Sequence, residues 1–212
     1  MIKPRYTLSF IALGLFAAVG MSEVAHAGEQ RVLQDSTPAA GIEKVSLESG
    51  VGEVRIEAGD TDAIEVRVEI KPGDKSWFGS KPDLEAVTLD MKRDGKELQL
   101  GVDGEHIQEH WVVRVPARMA LELDHGVGEV HVTGLEGDVE AEVGVGELRI
   151  EGGKGKIDRA EVHVGVGDAA IKGVGGPEQD GFPLGRTVSW TGEGEQSIDA
   201  EVGVGEATVS LR

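Results

Sequence analysis

The stretch Val139-Glu140-Ala141-Glu142-Val143-Gly144-Val145-Gly146-Glu147-Leu148-Arg149-Ile150 decides the fold of this chain. Apolar and polar residues alternate before Gly144, and the alternation resumes after Glu147 with the opposite parity. A period of two is typical of β-strands that bury one face. The pattern therefore predicts two strands joined at a corner, with Val145 pointing inward between two glycines that permit the bend.

The corner is repeated along the chain as GVGE, with GVGD in one copy. Copies begin at Gly50, Gly126, Gly144, Gly165 and Gly203, which are 76, 18, 21 and 38 residues apart. These spacings indicate a unit of about 19 residues, and one such unit cannot bury its own apolar face. We therefore predict an all-β fold in which successive units stack as a β-solenoid, or β-helix, over residues 41–212. The right-handed preference of parallel crossovers favours a right-handed coil.

The same spacing predicts that the solenoid continues through residues 57–118, with hairpin-like irregularity, because 76 is four times 19. Four strands are predicted there, at 63–70, 86–91, 96–102 and 111–115. The alternative to a solenoid is an antiparallel sandwich, which also has many short strands and glycine turns.

The N-terminus has the features of a secretory signal peptide. Lys3 and Arg5 precede an apolar run over residues 8–19, and Ala25-His26-Ala27 matches a cleavage site. We predict a signal peptide at 1–27, a flexible segment at 28–40 and one domain at 41–212. The apolar run is short for an uncleaved anchor. Export to the periplasm is favoured over the cell surface or secretion, and the chain has no cysteine for a disulfide or a lipid anchor.

The net charge is −18, from 39 acidic and 21 basic residues. Nucleic acid binding needs clusters of Lys and Arg, so this composition argues against a nucleic acid partner. The charge also disfavours adsorption to anionic lipid, whereas it favours cations and basic partners. No segment after the signal peptide is apolar enough to cross a membrane, and no cofactor is predicted.

Two groups of residues are candidate metal ligands. In a regular stack, Glu129, Glu147 and Asp168 form a column on consecutive coils, where Ca²⁺ would relieve the repulsion between carboxylates. A solvated acidic face is the alternative. The segment His106–His110 matches the H-x-x-E-H zinc motif. That motif requires a helix, whereas a polar loop is expected here, so His106 and His110 are candidates for adventitious metal binding and not for catalysis.

One aromatic pair is a candidate partner contact. Trp77 and Phe78 are adjacent in a Gly- and Pro-containing loop, between Lys75 and Lys81. Exposed aromatic residues with basic neighbours are typical of contacts with a protein or a glycan. The alternative is a loop that folds back to cover a face or an end of the stack.

The segment from Val113 to Ile171 resembles the bacterial putative-adhesin family of β-strand-repeat proteins. Members have an R-V-P lead-in followed by V-x-V-x-G-x-G-D-V repeats. Here Val113–Pro116 and the GVG(E/D) units match, although the usual N-G-D corner is V-G-E or V-G-D. The resemblance covers most of residues 41–212. It implies an exported, solenoid-like domain, and it supplies no catalytic residues.

These observations favour a non-enzymatic exported protein that acts as an envelope scaffold or adhesin-like interaction module. Its partner would be an envelope protein or a surface glycan. Two alternatives stay open: a carbohydrate-active or carbohydrate-binding β-helix protein, and a periplasmic metal or stress accessory protein.

Overall fold

The computed structural model describes residues 30–73, 82–181 and 185–212, and these ranges contain twelve β-strands. The sole helical element within them is a three-residue 3-10 turn, Lys154–Lys156. The predicted all-β class is therefore confirmed. The strands are β1 (Arg31–Pro38), β2 (Lys44–Gly59), β3 (Ala63–Pro72), β4 (Thr88–Asp94), β5 (Glu97–Asp103), β6 (Ile107–Pro116), β7 (Ala120–Thr133), β8 (Val139–Gly152), β9 (Ile157–Lys172), β10 (Glu178–Asp180), β11 (Arg186–Thr191) and β12 (Gln196–Leu211).

Five long strands form a parallel ladder at the centre of the sheet, and each contains one copy of the repeated corner. The ladder runs β2–β7–β8–β12–β9, and the five motifs are in register. Val145, for example, is paired with Val127 on one side and with Val204 on the other. The prediction of parallel, registered repeats is confirmed.

The order of the strands differs from their order in the sequence. Strand β12 lies between β8 and β9, so the fifth motif separates the third from the fourth. Glu129 and Glu147 are neighbours, but Glu206 stands between Glu147 and Asp168. The expectation that Glu129, Glu147 and Asp168 occupy consecutive positions is therefore wrong for Asp168.

Residues 57–118 do not add four coils to the ladder, as their length suggested. Strand β2 pairs directly with β7, and the segment between them forms a separate excursion. Within it, β3 pairs antiparallel with β1 and β6, while β4 and β5 pair antiparallel with each other. All four strands predicted in this segment are present, but three of the pairings are antiparallel.

The excursion rejoins the ladder along β2. The first half of β2 pairs with β5, and its second half pairs with β6. The N-terminal segment also belongs to this region, since Arg31–Pro38 form β1 and not a flexible extension. The sheet is open, with β1 at one end of the main path and β10 at the other.

The core follows the alternation expected from the sequence. In β8, Val139, Ala141 and Val143 are buried before the corner, and Leu148 and Ile150 are buried after it. The inward orientation predicted for the corner valines is wrong, because Val145 is 47% exposed. Val143 and Leu148 are five residues apart, so the alternation must slip once between them. The slip places Val145 on the outer surface. No helix in the described ranges has the length and apolarity needed to span a membrane.

Candidate binding surface at the glycine corners

The second glycine of each corner has a backbone conformation that other residues rarely adopt. Gly146 has φ +147°, and the equivalent glycines lie between +138° and +144°. A Cβ on Gly146 would lie 1.8 Å from the carbonyl oxygen of Gly128 on the next strand. The first glycine is also confined, since a Cβ on Gly144 would lie 2.7 Å from the carbonyl oxygen of Gly126. Both glycines are therefore required for neighbouring corners to pack closely.

The corner valines form an exposed column across all five long strands. Each strand contributes one valine at the same register, and neighbouring strands in a sheet are about 4.8 Å apart. The exposed fractions are 43% for Val51, 45% for Val127, 47% for Val145, 47% for Val204 and 52% for Val166. We call this set the valine column. Five of the six large hydrophobic residues that are exposed in the described part of the chain belong to it.

A column of acidic residues lies two positions after the valines, and we call it the corner acids. Its members, in ladder order, are Glu53, Glu129, Glu147, Glu206 and Asp168. Arginines neutralise part of this charge: Arg55 lies 2.7 Å from Glu53, Arg149 pairs with Glu147, and Arg186 lies 2.9 Å from Asp168. Glu129 and Glu206 have no ion pair within the described residues.

A second acidic column lies three positions before the valines. It contains Glu48, Asp124, Glu142 and Glu201, and His163 ends it on β9. All four carboxylates are exposed, and none of them forms an ion pair with another described residue. We call this set the free acids. The valine column is therefore bordered by carboxylates on both sides, and the charge is less compensated on the side of the free acids.

A buried polar cluster lies beneath the corner of β2. The carboxylate of Glu109 on β6 accepts hydrogen bonds from the Ser49 hydroxyl at 2.9 Å and from the Trp111 indole nitrogen at 2.7 Å. Glu109 is 7% exposed and Trp111 is completely buried. This cluster joins the excursion to the ladder at the point where β5 and β6 diverge. The sequence contained a signal for it, because Ile107, Glu109 and Trp111 alternate on one face of a strand.

His125 lies beside this cluster, at the ladder position next to Ser49. It points inward and is only 3% exposed. Neither ring nitrogen forms a hydrogen bond of good geometry with a described residue. Burial lowers the pKa of His125, while nearby backbone groups and the Glu109 carboxylate act in the opposite direction.

The residues of the H-x-x-E-H match do not share one face. His110 is part of strand β6, where its Nδ1 lies 3.0 Å from Glu53 Oε2, whereas Glu109 points into the core. His106 precedes the strand with φ 60°, and its carbonyl oxygen accepts a hydrogen bond from the Gly73 amide. The helix that the zinc motif needs is replaced by a strand. Within the described ranges, no group of three or more His, Cys, Asp or Glu side chains is arranged to hold a metal ion.

The predicted aromatic contact cannot be placed on this surface. Trp77 and Phe78 lie in residues 74–81, outside the described part of the chain. The signal peptide predicted at 1–27 also lies outside it. Both stay predictions.

Comparison with solved structures supports the resemblance noted in the sequence. A crystal structure of a putative cell adhesion protein from Clostridium sporogenes has a TM-score of 0.51 and 15% identity, covering 86% of this chain and all of that one. Putative adhesins from Bacteroides fragilis and Parabacteroides merdae match with TM-scores of 0.28 and 0.25, both at 11% identity, over 86% of this chain and 97% and 96% of theirs. No protein-family model and no curated protein matches the sequence. The predicted likeness to adhesin-named proteins is confirmed, and at this identity it establishes the fold alone.

Proposed function

We propose that this chain is an exported, non-enzymatic interaction module of the cell envelope, with the valine column as its binding surface. The observation that carries the proposal is the exposure of five registered valines, because Val32 is the only other large apolar residue that is exposed in the described part of the chain. Isolated exposed apolar residues are ordinary on protein surfaces, whereas a continuous set bordered by polar residues is typical of an interaction site.

The module is a β-solenoid in this proposal, and the lengths of the loops support that architecture. Strand β7 ends at Thr133, and β8 begins at Val139, which pairs with Leu121 near the start of β7. The six Cα steps from Thr133 to Val139 reach at most about 23 Å. A straight strand from Leu121 to Thr133 would be about 40 Å long. This difference supports a fold back of β7 at its glycine corner, and we propose the same bend for the other long strands, which carry the same motif.

Contacts between strand ends support the same coil. The position of a Cβ on Gly152, at the end of β8, would lie 3.6 Å from the Ile157 side chain and 3.8 Å from the Ile198 side chain. Both isoleucines stand at the beginnings of β9 and β12. These contacts support a coil whose two halves enclose the core, with the corner at the outer edge of the stack. We expect the coil to be right-handed, following the preference of parallel crossovers.

The non-enzymatic part of the proposal is supported by the role of the polar residues. The carboxylate of Glu109, which a hydrolytic mechanism could use, is buried and accepts bonds from Ser49 and Trp111. Three of the corner acids are held in ion pairs with arginine. Polysaccharide cleavage by the purified protein would favour the carbohydrate-active alternative and overturn this part.

Export and metal binding are separate parts of the proposal. The predicted signal peptide at 1–27 directs the chain to the periplasm, which N-terminal sequencing of the protein from a periplasmic fraction would test. Calcium binding by Glu129, Glu147 and Asp168 stays a prediction, with Glu206 between the last two. Metal binding by His106 and His110 also stays a prediction. A thermal unfolding midpoint that is the same with Ca²⁺, with Zn²⁺ and with EDTA would contradict both metal-binding predictions.

The test of the interaction function compares three proteins in a pull-down from envelope extract. These are the wild type, the corner variant V127S/V145S/V204S and the loop variant W77A/F78A. We expect the wild type to retain a reproducible envelope protein or glycan, and the corner variant to lose it. If the loop variant also fails to retain the ligand, Trp77 and Phe78 contribute to binding as well. Equal retention by the wild type and the corner variant would overturn the valine column as the binding surface.

A further inference from the structure

We infer that the valine column takes a basic amphipathic helix from a partner protein. This inference rests on the proposed interaction function and gives the chemistry of the partner. It is carried by two features of the surface: the length and spacing of the exposed valines, and the distribution of charge on either side of them.

The dimensions of the valine column match those of a short helix. Five positions at about 4.8 Å give a stripe roughly 19 Å long. An α-helix of about 13 residues has this length, and with a pitch of about 5.4 Å it presents about one apolar residue per turn, which makes four along the five valines. Apolar residues at i, i+4, i+7 and i+11 would form the matching face. The glycines beside the valines are exposed or half-buried and have no side chains, which leaves space for such a helix to approach closely.

The charges beside the column specify the flanks of that helix. Measured along the backbone, the free acids lie at most about 10 Å before the valines and the corner acids at most about 7 Å after them, and a bend at the corner shortens the direct distances. A helix about 10 Å wide would therefore place basic side chains within reach of both columns. The strongest attraction is expected at Glu48, Asp124, Glu142 and Glu201, because none of these carboxylates has an ion pair within the described residues. Glu129 and Glu206 extend the same attraction to the other side.

The same charges argue against other occupants. A second copy of the chain would bring its acidic columns against those of the first, and each chain has a net charge of −18. Nucleic acid and anionic lipid would be repelled in the same way. A neutral apolar segment would leave the carboxylates near the interface without partners, which is costly.

The test uses synthetic peptides of about 14 residues, the length that spans the stripe. One peptide has leucine on one helical face and lysine on the other; its controls have the same residues in scrambled order, glutamine in place of lysine, and glutamate in place of lysine. Binding to the purified protein is measured by isothermal titration calorimetry. We expect only the leucine–lysine peptide, and none of its three controls, to bind well. Its affinity should fall at least about tenfold when the salt concentration is raised from about 0.05 M to about 0.5 M.

Two variants identify the surface. The quadruple variant E48Q/D124N/E142Q/E201Q neutralises the free acids, and we expect it to weaken peptide binding at least about tenfold. Its matched control is D90N/D94N/D103N/E105Q, which removes the same number of exposed carboxylates from the β4–β5 region and keeps the affinity of the wild type. The corner variant V127S/V145S/V204S should also lose binding. Equal weakening by the two quadruple variants would mean that net charge alone attracts the peptide, and would overturn the inference.

The outcomes separate this inference from the proposed function. Equal binding of the ordered and scrambled peptides would overturn the helical partner. If no basic peptide binds while the corner variant still loses its envelope ligand, the valine column is a binding surface for a different partner. If the corner variant changes neither result, both the inference and the proposed surface are wrong.

Discussion

Val143 and Val145 are separated by a single glycine, yet Val143 is completely buried whereas Val145 is 47% exposed. This difference makes a sharp prediction about two identical substitutions. Val143→Ser should destabilise the fold by about 2–3 kcal/mol, because it opens a cavity and buries a hydroxyl. Val145→Ser should change stability by less than about 0.5 kcal/mol. Urea unfolding of both variants checks this, and a large loss in Val145→Ser would mean that the corner valines point inward.

The glycine corners should tolerate no side chain at their second position. Gly146→Ala would place a Cβ 1.8 Å from the Gly128 carbonyl oxygen, at a φ of +147°. We expect this change to cost about 3 kcal/mol or more. Gly155→Ala is the control, since a Cβ there would have no atom within 4 Å. Thermal unfolding of the two variants tests the corner geometry, which would be contradicted by equal midpoints.

The buried carboxylate of Glu109 should be needed for stability. Glu109→Ala leaves the Ser49 hydroxyl and the Trp111 indole N–H buried without an acceptor. We expect a loss of about 3 kcal/mol in the free energy of unfolding. The exposed Glu105 supplies the control, and Glu105→Ala should be within about 0.5 kcal/mol of the wild type. If the two alanine variants were equally stable, Glu109 would not anchor the excursion to the ladder.

His125 should make the fold sensitive to acid. Burial lowers its pKa in the folded protein below the unfolded value of about 6.5, so the unfolded chain binds the proton more readily. Its contribution to stability is therefore complete above about pH 6.5 and is lost as the pH falls through the folded pKa. Strands β8 and β12 have valine, Val143 and Val202, at the position that His125 occupies in β7. Valine is therefore the replacement that the core should accept best.

His125→Val should unfold at a higher urea concentration than the wild type at acid pH, and the difference between them should grow as the pH falls from about 7.5 to about 5. Glu109 is the charged neighbour that acts against this effect, so its carboxylate must be intact in both proteins. A difference that is independent of pH would show that His125 does not titrate in the folded state.

The parts of the fold that depend on alternation could be predicted from the sequence. Val139, Ala141 and Val143 before the corner, and Leu148 and Ile150 after it, were assigned to the core correctly because strand geometry alternates side chains strictly. The orientation of Val145 could not be obtained in this way. It lies where the alternation slips, and the positive φ of Gly146 decides which face it takes.

The order of the strands in the ladder could not be predicted from the sequence, for a different reason. All five long strands carry the same motif and the same alternation, so β12 fits beside β8 as well as β9 does. Strand β11 occupies the other edge of β9, so β12 pairs with β9 along the edge that faces β8. The spacing of 76 residues between Gly50 and Gly126 was equally misleading. It equals four repeat units, but it arises from an inserted excursion, because β2 pairs directly with β7.

The candidate surface was only partly visible in the sequence. The corner acids were recognised, whereas the free acids were not singled out because single charged residues on the outer face of a strand are ordinary. Their registration into a column appears only once the strands are paired. Glu109 was assigned to a polar loop, although its alternation with Ile107 and Trp111 indicated an inward carboxylate.

The most direct test of the valine column is a footprint on the protein while it is bound. Because the chain has no cysteine, Val145→Cys introduces a single thiol at the centre of the column, and Gly175→Cys introduces one in the exposed bend that follows β9, outside the corner motif. The measurement is the rate at which a thiol reagent labels each variant, with and without envelope extract. We predict that the extract slows labelling at position 145 by at least about tenfold, since an interface excludes solvent, and leaves position 175 unchanged. Equal rates at position 145 with and without the extract would contradict a binding function for the corners.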